Sequence, residues 1–244
     1  MSKKVRSSTM NPETLARLRR ISTATLTTAM FKRGFRNIFM QGVRLLGTLD
    51  TNMVGPASTL RYIPAREDLD TIGVFADPNH PQRHAVETAK AGHVLVMDCR
   101  GDTRVASGGE ILMTRLMVRG AAGLVTDGGL RDSAPIAAMD FPTFCAGPSA
   151  PLNLAAHHAV EIDSPIGCGG VAVYPGDIIV GDADGVVVLP AALADDVAAE
   201  AAAQEDMEAF LLARVAAGAS LRGTYPPDET TRTAYEVWKA AGKP

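Results

Sequence analysis

Between His93 and Cys145 the chain alternates short apolar runs with amphipathic segments, and this alternation restricts the fold more than any other feature of the sequence. His93-Val94-Leu95-Val96-Met97 is apolar at consecutive positions, the pattern of a strand buried on both faces. Glu110 to Arg119 has helical spacing and closes at Gly120. Leu124-Val125-Thr126 reads as a strand, Ala134 to Met139 as a short helix, and Thr143-Phe144-Cys145 as a further strand. Parallel strands need crossover connections, so strand–helix–strand repetition with short loops predicts an α/β layer: a parallel sheet covered by helices. Twenty residues separate Glu110 from Arg131, enough for one helix and the strand Gly123-Leu124-Val125-Thr126. That unit brings the Gly108-Gly109 helix start and the Arg131-Asp132 turn to the same sheet edge, where open α/β sheets bind ligands.

The flanks follow different rules. Asn11-Pro12-Glu13 is a helix start with a cap, a proline in the first turn and an acid near the positive end of the dipole. A second helix runs from Ser22 to Gly34, followed by a strand from Gly55 to Ile63, a polar loop from Pro64 to Asp70 and a helix from Pro81 to Lys90. From His158 onward, short strands around 159–162, 170–173, 178–180 and 186–189 are joined by Pro175-Gly176-Asp177 and Asp182-Ala183-Asp184-Gly185 turns, the grammar of antiparallel hairpins or a small barrel. Pro190 opens a long alanine-rich helix that reaches about Ala217 and is capped by Gly218. Beyond Tyr225-Pro226-Pro227 a final helix carries Tyr235 and Trp238. With no internal repeat or clean linker, residues 1–217 form one domain, and residues 218–244 form a helical arm that docks on it or on a neighbouring subunit.

Composition excludes several function classes. The net charge of −3, without a basic cluster beyond Lys3-Lys4, argues against nucleic acid as a partner. No apolar signal-peptide core and no run of ~18 apolar residues appears, so a soluble cytoplasmic protein with no membrane contact is expected. Cys99, Cys145 and Cys168 form no CxxC pair and are expected as reduced thiols.

Several residues have the chemistry for a site. A Gly-Gly turn opening a helix presents unpaired N–H groups to an anion, although such doublets are more often plain helix entries. Arg131 is a planar, permanent cation suited to a carboxylate or enolate oxygen, and Asp132 is a hard oxygen ligand for Mg²⁺ or Mn²⁺. An Arg-Asp pair in a turn is, taken alone, more often a surface ion pair. Asp177, Asp182 and Asp184 lack calcium-loop spacing and fit turn chemistry, and His157-His158 diverge on a strand and read as structural. Asp98 or Asp102, at the end of a strand, is a candidate to line the pocket. Cys99 has no activating partner. No G-x-S-x-G, Walker A or dinucleotide fingerprint is present.

Taken together, Gly92 to Asp98, Gly109-Glu110-Ile111-Leu112, Arg119 to Asp132, Pro175-Gly176-Asp177 and Gly181 to Val188 resemble the RraA-like family over roughly residues 20–215. That family contains 4-hydroxy-4-methyl-2-oxoglutarate/4-carboxy-4-hydroxy-2-oxoadipate aldolases and a regulator that inhibits ribonuclease E. The resemblance implies a swivelling, phosphohistidine-domain-like β core with flanking helices, assembled as a homotrimer or hexamer. It implies that Arg131 binds the pyruvyl group of a 2-oxo acid, that Asp132 holds the divalent metal, and that backbone amides of Gly109, Glu110, Ile111 and Leu112 take the substrate carboxylate. Glu110 is implied near the metal's water shell. The implied activity is metal-dependent aldol cleavage to pyruvate with oxaloacetate decarboxylation. The alternative is a non-catalytic protein that binds and inhibits a ribonuclease. The chain departs from the pattern at Pro135, where the regulator and many aldolases carry an acid, which weakens the regulator reading. Arg61, Arg66, Arg83 and Arg104 are each available for a second substrate carboxylate.

Overall fold

The computed structural model describes residues 10–242, so Lys3-Lys4 lie outside the described residues. In chain order the elements are α1 (Pro12–Leu18), α2 (Thr23–Lys32), β1 (Arg44–Leu45), β2 (Met53–Pro64), α3 (Pro81–Glu87), β3 (Val94–Asp98), β4 (Ala106–Gly108), α4 (Glu110–Val118), β5 (Gly123–Thr126), β6 (Gly129–Leu130), α5 (Ser133–Ala137), β7 (Thr143–Cys145), β8 (Gly147–Pro148), β9 (His157–Ile162), β10 (Ile166–Cys168), β11 (Val171–Val173), β12 (Ile178–Gly181), β13 (Val186–Leu189), α6 (Ala194–Ala216) and α7 (Glu229–Ala240). The expected helix starts are present in atomic detail. The Asn11 side chain accepts from the Glu13 N–H, and the Ser22 hydroxyl accepts from the Thr25 N–H.

The main sheet has eight strands, in the order β1-β7-β5-β3-β2-β12-β13, with β9 also paired to β2. Strands β2, β3, β5 and β7 are mutually parallel, joined through α3, α4 and α5, as the alternation requires. Strands β9, β12 and β13 add antiparallel pairs that extend this same sheet, while β10 and β11 pair with each other as a separate two-stranded ribbon. The length of β2 makes this possible: residues 53–56 pair with β12 and residues 60–64 with β9 on one edge, while residues 57–61 pair with β3 on the other. At the far end, Phe39 bridges Val187, and a few residues later the chain enters β1, which pairs with β7. One segment thus ties both ends of the strand order, and the sheet is a nearly closed barrel.

Burial follows the two-residue period of the strands. Val94, Val96, Val125, Phe144, Ile179, Val186 and Val188 fill the inside of the curl. Leu95, Met97 and Leu124 point outward beneath Val86, Met113 and Leu116 of α3 and α4. Ile178, Val180, Val187 and Leu189 pack against Leu26, Met30, Val197 and Ala201 of α2 and α6. The three layers make one mixed α/β body. Tyr235 and Trp238 of α7 pack on Phe210 of α6, with ring centroids 5.7 and 5.5 Å from it, so the arm docks on its own chain. Among the described residues no helix is long and apolar enough to cross a membrane.

Candidate functional site

Past the C-terminal ends of β3, β5 and β7 the chain builds a second, three-stranded parallel sheet, β4-β6-β8. Its strands are two or three residues long and rich in Gly, Ser and Pro, so they carry no periodic signal, and sequence reasoning missed them. This small sheet positions the site. Gly108 pairs with Leu130, which sets the start of α4 directly beside the Arg131-Asp132 turn. The Arg131 N–H donates to the Gly108 carbonyl at 3.1 Å and locks that register.

Asp127 anchors the small sheet from below. Its carboxylate accepts from the Cys99 N–H at 2.6 Å, the Gly101 N–H at 3.0 Å and the Gly169 N–H at 3.3 Å. Burial pushes its carboxyl above the usual range, and the three backbone donors oppose that shift. The sequence reading did not single out Asp127; its place straight after a buried strand was the available signal.

Arg131 and Asp132 line one cleft of ≈ 310 Å³ together with Gly108, Gly109, Ile111 and Leu112. Consecutive strand residues would diverge, but Asp132 has φ +57°, in the left-handed region. Aspartate is one of the few residues with a side chain that visits this region readily. The Asp132 carboxylate thereby turns away from α5, which it precedes, and toward α4. Its Oδ2 accepts from the Glu110 N–H at 3.2 Å and lies 3.6 Å from Arg131 Nε. Both side chains remain substantially exposed, at 46% and 42%. Gly109 is fitted to this contact: a Cβ there would stand 2.6 Å from Asp132 Oδ2 and 3.0 Å from Arg131 Cγ and Nε.

At the α4 start the first acceptor is the protein's own carboxylate. The Glu110 N–H is donated to Asp132, and the Leu112 N–H to the Gly109 carbonyl at 3.0 Å. The Ile111 N–H is left as a first-turn donor without an acceptor inside the helix. Glu110 is exposed and is not part of the cleft wall, although its neighbours Gly109 and Ile111 are.

Phe75, Gln82, Arg83, Ala106, Leu152 and Asn153 complete the wall, and of these the sequence reading named only Arg83. Neither Asp98 nor Asp102 lines the cleft. Asp98 accepts from the Arg100 and Gly167 N–H groups, and Asp102 is held by Arg104 at 2.6 Å. Both acids face backbone or a neighbouring cation because the chain turns sharply after β3, with Arg100 at φ +61° and Gly101 at φ +67°. Asp177 and Asp182 serve turns, accepting from Tyr174 N–H and Asp184 N–H, and Asp182 also caps α2 through the Thr23 N–H. His157 is buried against Tyr62, while His158 pairs with Asp70 at 2.7 Å. Burial pushes the Cys99 thiol up to about 12, far from a thiolate nucleophile.

Among the described residues no group of three or more His, Cys, Asp or Glu side chains could close around a metal. Asp132 is the one carboxylate on the cleft wall. Magnesium is commonly held by one or two carboxylates and several waters, so this donor set suits Mg²⁺ or Mn²⁺ and not a four-ligand zinc centre.

Fold and cleft together define a mixed α/β protein with a crevice lined by Arg131, Asp132 and the start of α4 at the C-terminal ends of parallel strands. The model of the RraA-like family, described as Aldolase/RraA, matches residues 23–188, and the chain belongs to that family. A relative from Halalkalibacterium halodurans, named "Putative 4-hydroxy-4-methyl-2-oxoglutarate aldolase", is 40% identical over 130 residues, 52% of this chain and 58% of the relative. The chain thus spans less than two thirds of that relative's length. A solved Streptomyces coelicolor structure, described as an unusual member of the RNase ES inhibitor RraA protein family, is 29% identical with a TM-score of 0.72, covering 83% of this chain and 97% of that one. An uncharacterized protein from Pseudomonas syringae shares the fold at 22% identity, with a TM-score of 0.79 over 93% of this chain and 100% of that one.

Proposed function

We propose that the protein is a divalent-metal-dependent aldolase that cleaves a 4-hydroxy-2-oxo acid to pyruvate, with oxaloacetate decarboxylation as a side activity. The observation that carries this reading is the convergence of Arg131, Asp132 and the α4 start on one cleft. The name of the Halalkalibacterium halodurans relative supports it.

Asp132 would hold the cation, which when bound supplies Lewis-acid polarisation of the 2-keto oxygen. The Ile111 N–H and the Arg131 guanidinium take the pyruvyl carboxylate and the neighbouring oxygen, and Gly109 lets the ligand approach the backbone. Cleavage removes the C4 hydroxyl proton, makes that carbon a carbonyl, and leaves the C3–C4 electron pair on the pyruvyl fragment as an enolate. Arg131 stabilises the developing oxyanion, and the enolate then takes a proton at C3. Glu110, exposed next to Asp132, carries the proton between cleft and solvent. Loss of CO₂ from oxaloacetate leaves the same enolate, so one cleft serves both reactions. A homotrimer, or two trimers joined as a hexamer, is the proposed assembly.

The test is pyruvate release from a panel of 4-hydroxy-2-oxo acids and oxaloacetate with Mg²⁺ or Mn²⁺. Turnover that chelation abolishes is expected, and no turnover at high enzyme with either metal rejects the reading. A second reading, a non-catalytic inhibitor of a ribonuclease, draws on the likeness to the Streptomyces coelicolor structure. Stoichiometric recovery of a nuclease from lysate, together with absent lyase activity, would favour it.

A further inference from the structure

Residues 65–79 leave the sheet at the end of β2 and return at the start of α3, and none of them is buried. Pro64 and Pro81 bound the segment, each with φ set by its ring, so its ends are stiff. A 3₁₀ turn at Ile72–Ala76 has no buried residue, and Leu69 and Ile72 are exposed at 47% and 71%. A segment with so little buried apolar surface has low local stability against opening.

Few contacts hold it to the rest of the protein. Next to its Pro64 end, the Ala65 N–H donates to the Ala156 carbonyl at 3.1 Å, and the other backbone hydrogen bonds described for it stay within the segment or enter α3. In its middle, Asp70 Oδ1 lies 2.7 Å from Nδ1 of His158 on β9, and Oδ2 accepts from the Arg66 N–H at 2.7 Å. The Asp70 side chain is only 2% exposed, so loss of His158 would leave a covered carboxylate short of a partner. Further along, Phe75 packs on the start of α3, with the Arg83 guanidinium 4.4 Å from its ring centroid and the His80 ring edge-on at 5.2 Å. Phe75 is also part of the cleft wall, whereas Asp70 and His158 are not.

We propose that residues 65–79 form a lid on the cleft, latched by the Asp70–His158 pair. When the pair separates, the segment swings on Pro64 and Pro81 and carries Phe75 out of the wall. Access to the cleft is thereby set by a pair outside its wall. The inference rests on the cleft and not on the reaction proposed for it.

Hydrogen exchange of the full chain, read by mass spectrometry, tests the latch. His158→Ala should speed exchange of the amides in 66–79 by about ten-fold or more, the scale of one hydrogen bond to a charged group, with β3 and β5 unchanged as the report of an intact fold. His158→Gln, which keeps a donor for Asp70, should restore part of the protection. Unchanged exchange of the segment in His158→Ala overturns the latch. Thiol labelling tests the gating. Cys99, Cys145 and Cys168 are all buried, so a thiol introduced by Ala106→Cys, at a cleft-wall position only 3% exposed, is read against a quiet background. Adding His158→Ala should raise its labelling rate by about the same factor while the three native thiols stay unreacted. A labelling rate that does not change, or that rises together with labelling of the native thiols, overturns the lid.

Discussion

Gly109→Ala isolates the site from the fold. Gly109 has φ −151°, extended backbone that alanine adopts freely, so the substitution introduces no strain of its own. Its whole effect comes from the new methyl group, which would sit 2.6 Å from Asp132 Oδ2 and 3.0 Å from Arg131 Cγ and Nε. To reach ordinary contact at 3.4 Å the carboxylate must retreat by about 0.8 Å, out of its hydrogen bond with the Glu110 N–H. Displacements of about 1 Å in a reacting constellation cost on the order of 10²-fold in rate, so kcat/KM for pyruvate release should fall by roughly that factor. Stability should move little. Reduced unfolded-chain entropy contributes about 0.4–1 kcal/mol in favour of alanine, offsetting part of the loss of one exposed hydrogen bond. Gly147→Ala is the control, because a Cβ there meets nothing within 4 Å although it lies in the same small sheet. Steady-state pyruvate release and thermal unfolding of both variants form the assay. If Gly109→Ala keeps wild-type kcat/KM, the argument that Asp132 and Arg131 act from this geometry is refuted.

Arg131→Lys keeps the charge but loses the planar fork, so turnover should drop about 10²-fold and not recover at high Mn²⁺; recovery would contradict the role of the fork. Asp132→Asn should instead weaken metal binding, and part of its activity should return as Mn²⁺ is raised. His80, His93 and His157 are held below the ordinary histidine range, in each case first by burial, with the Arg83, Lys90 and Arg100 charges respectively adding to it. The unfolded chain therefore binds more protons than the folded one once pH falls through about 6.5, so stability is flat above that value and declines below it. A melting temperature unchanged from pH 8 to pH 5 would contradict this. Light scattering should give the mass of a trimer or hexamer at micromolar concentration, and a monomer would remove the ring assembly from the account.

The framework of the fold was legible where burial imposes a period. Val94 to Met97 and Leu124 to Thr126 are covered on both faces, and α4 between them has one covered face, so the parallel half could be read directly. The antiparallel strands were also readable, but not the fusion of β9, β12 and β13 into the same sheet. That depends on β2 being long enough to take β12 and β9 on one edge, a long-range pairing that no local pattern encodes. The Gly109 and Arg131-Asp132 juxtaposition was predictable from spacing. The strands that create it were not, because Ala106-Ser107-Gly108, Gly129-Leu130 and Gly147-Pro148 are too short for a period. Which first-turn amides of α4 have partners inside the protein was not legible, because the helix uses the Leu112 N–H itself and Asp132 takes that of Glu110. Phe75, Gln82 and Asn153 come from a turn, a helix and a second turn far apart in sequence, so only tertiary packing identifies them.

The central claim is that this cleft stabilises the enolate of pyruvate, whatever the rest of the substrate is. Exchange of pyruvate methyl protons in D₂O, followed by NMR, tests this without knowledge of the distal half. The account predicts exchange by the wild-type protein with Mg²⁺ or Mn²⁺, loss of exchange on chelation, and a fall of about 10²-fold in Arg131→Lys. Exchange no faster than in buffer with either cation, at high enzyme, would contradict it.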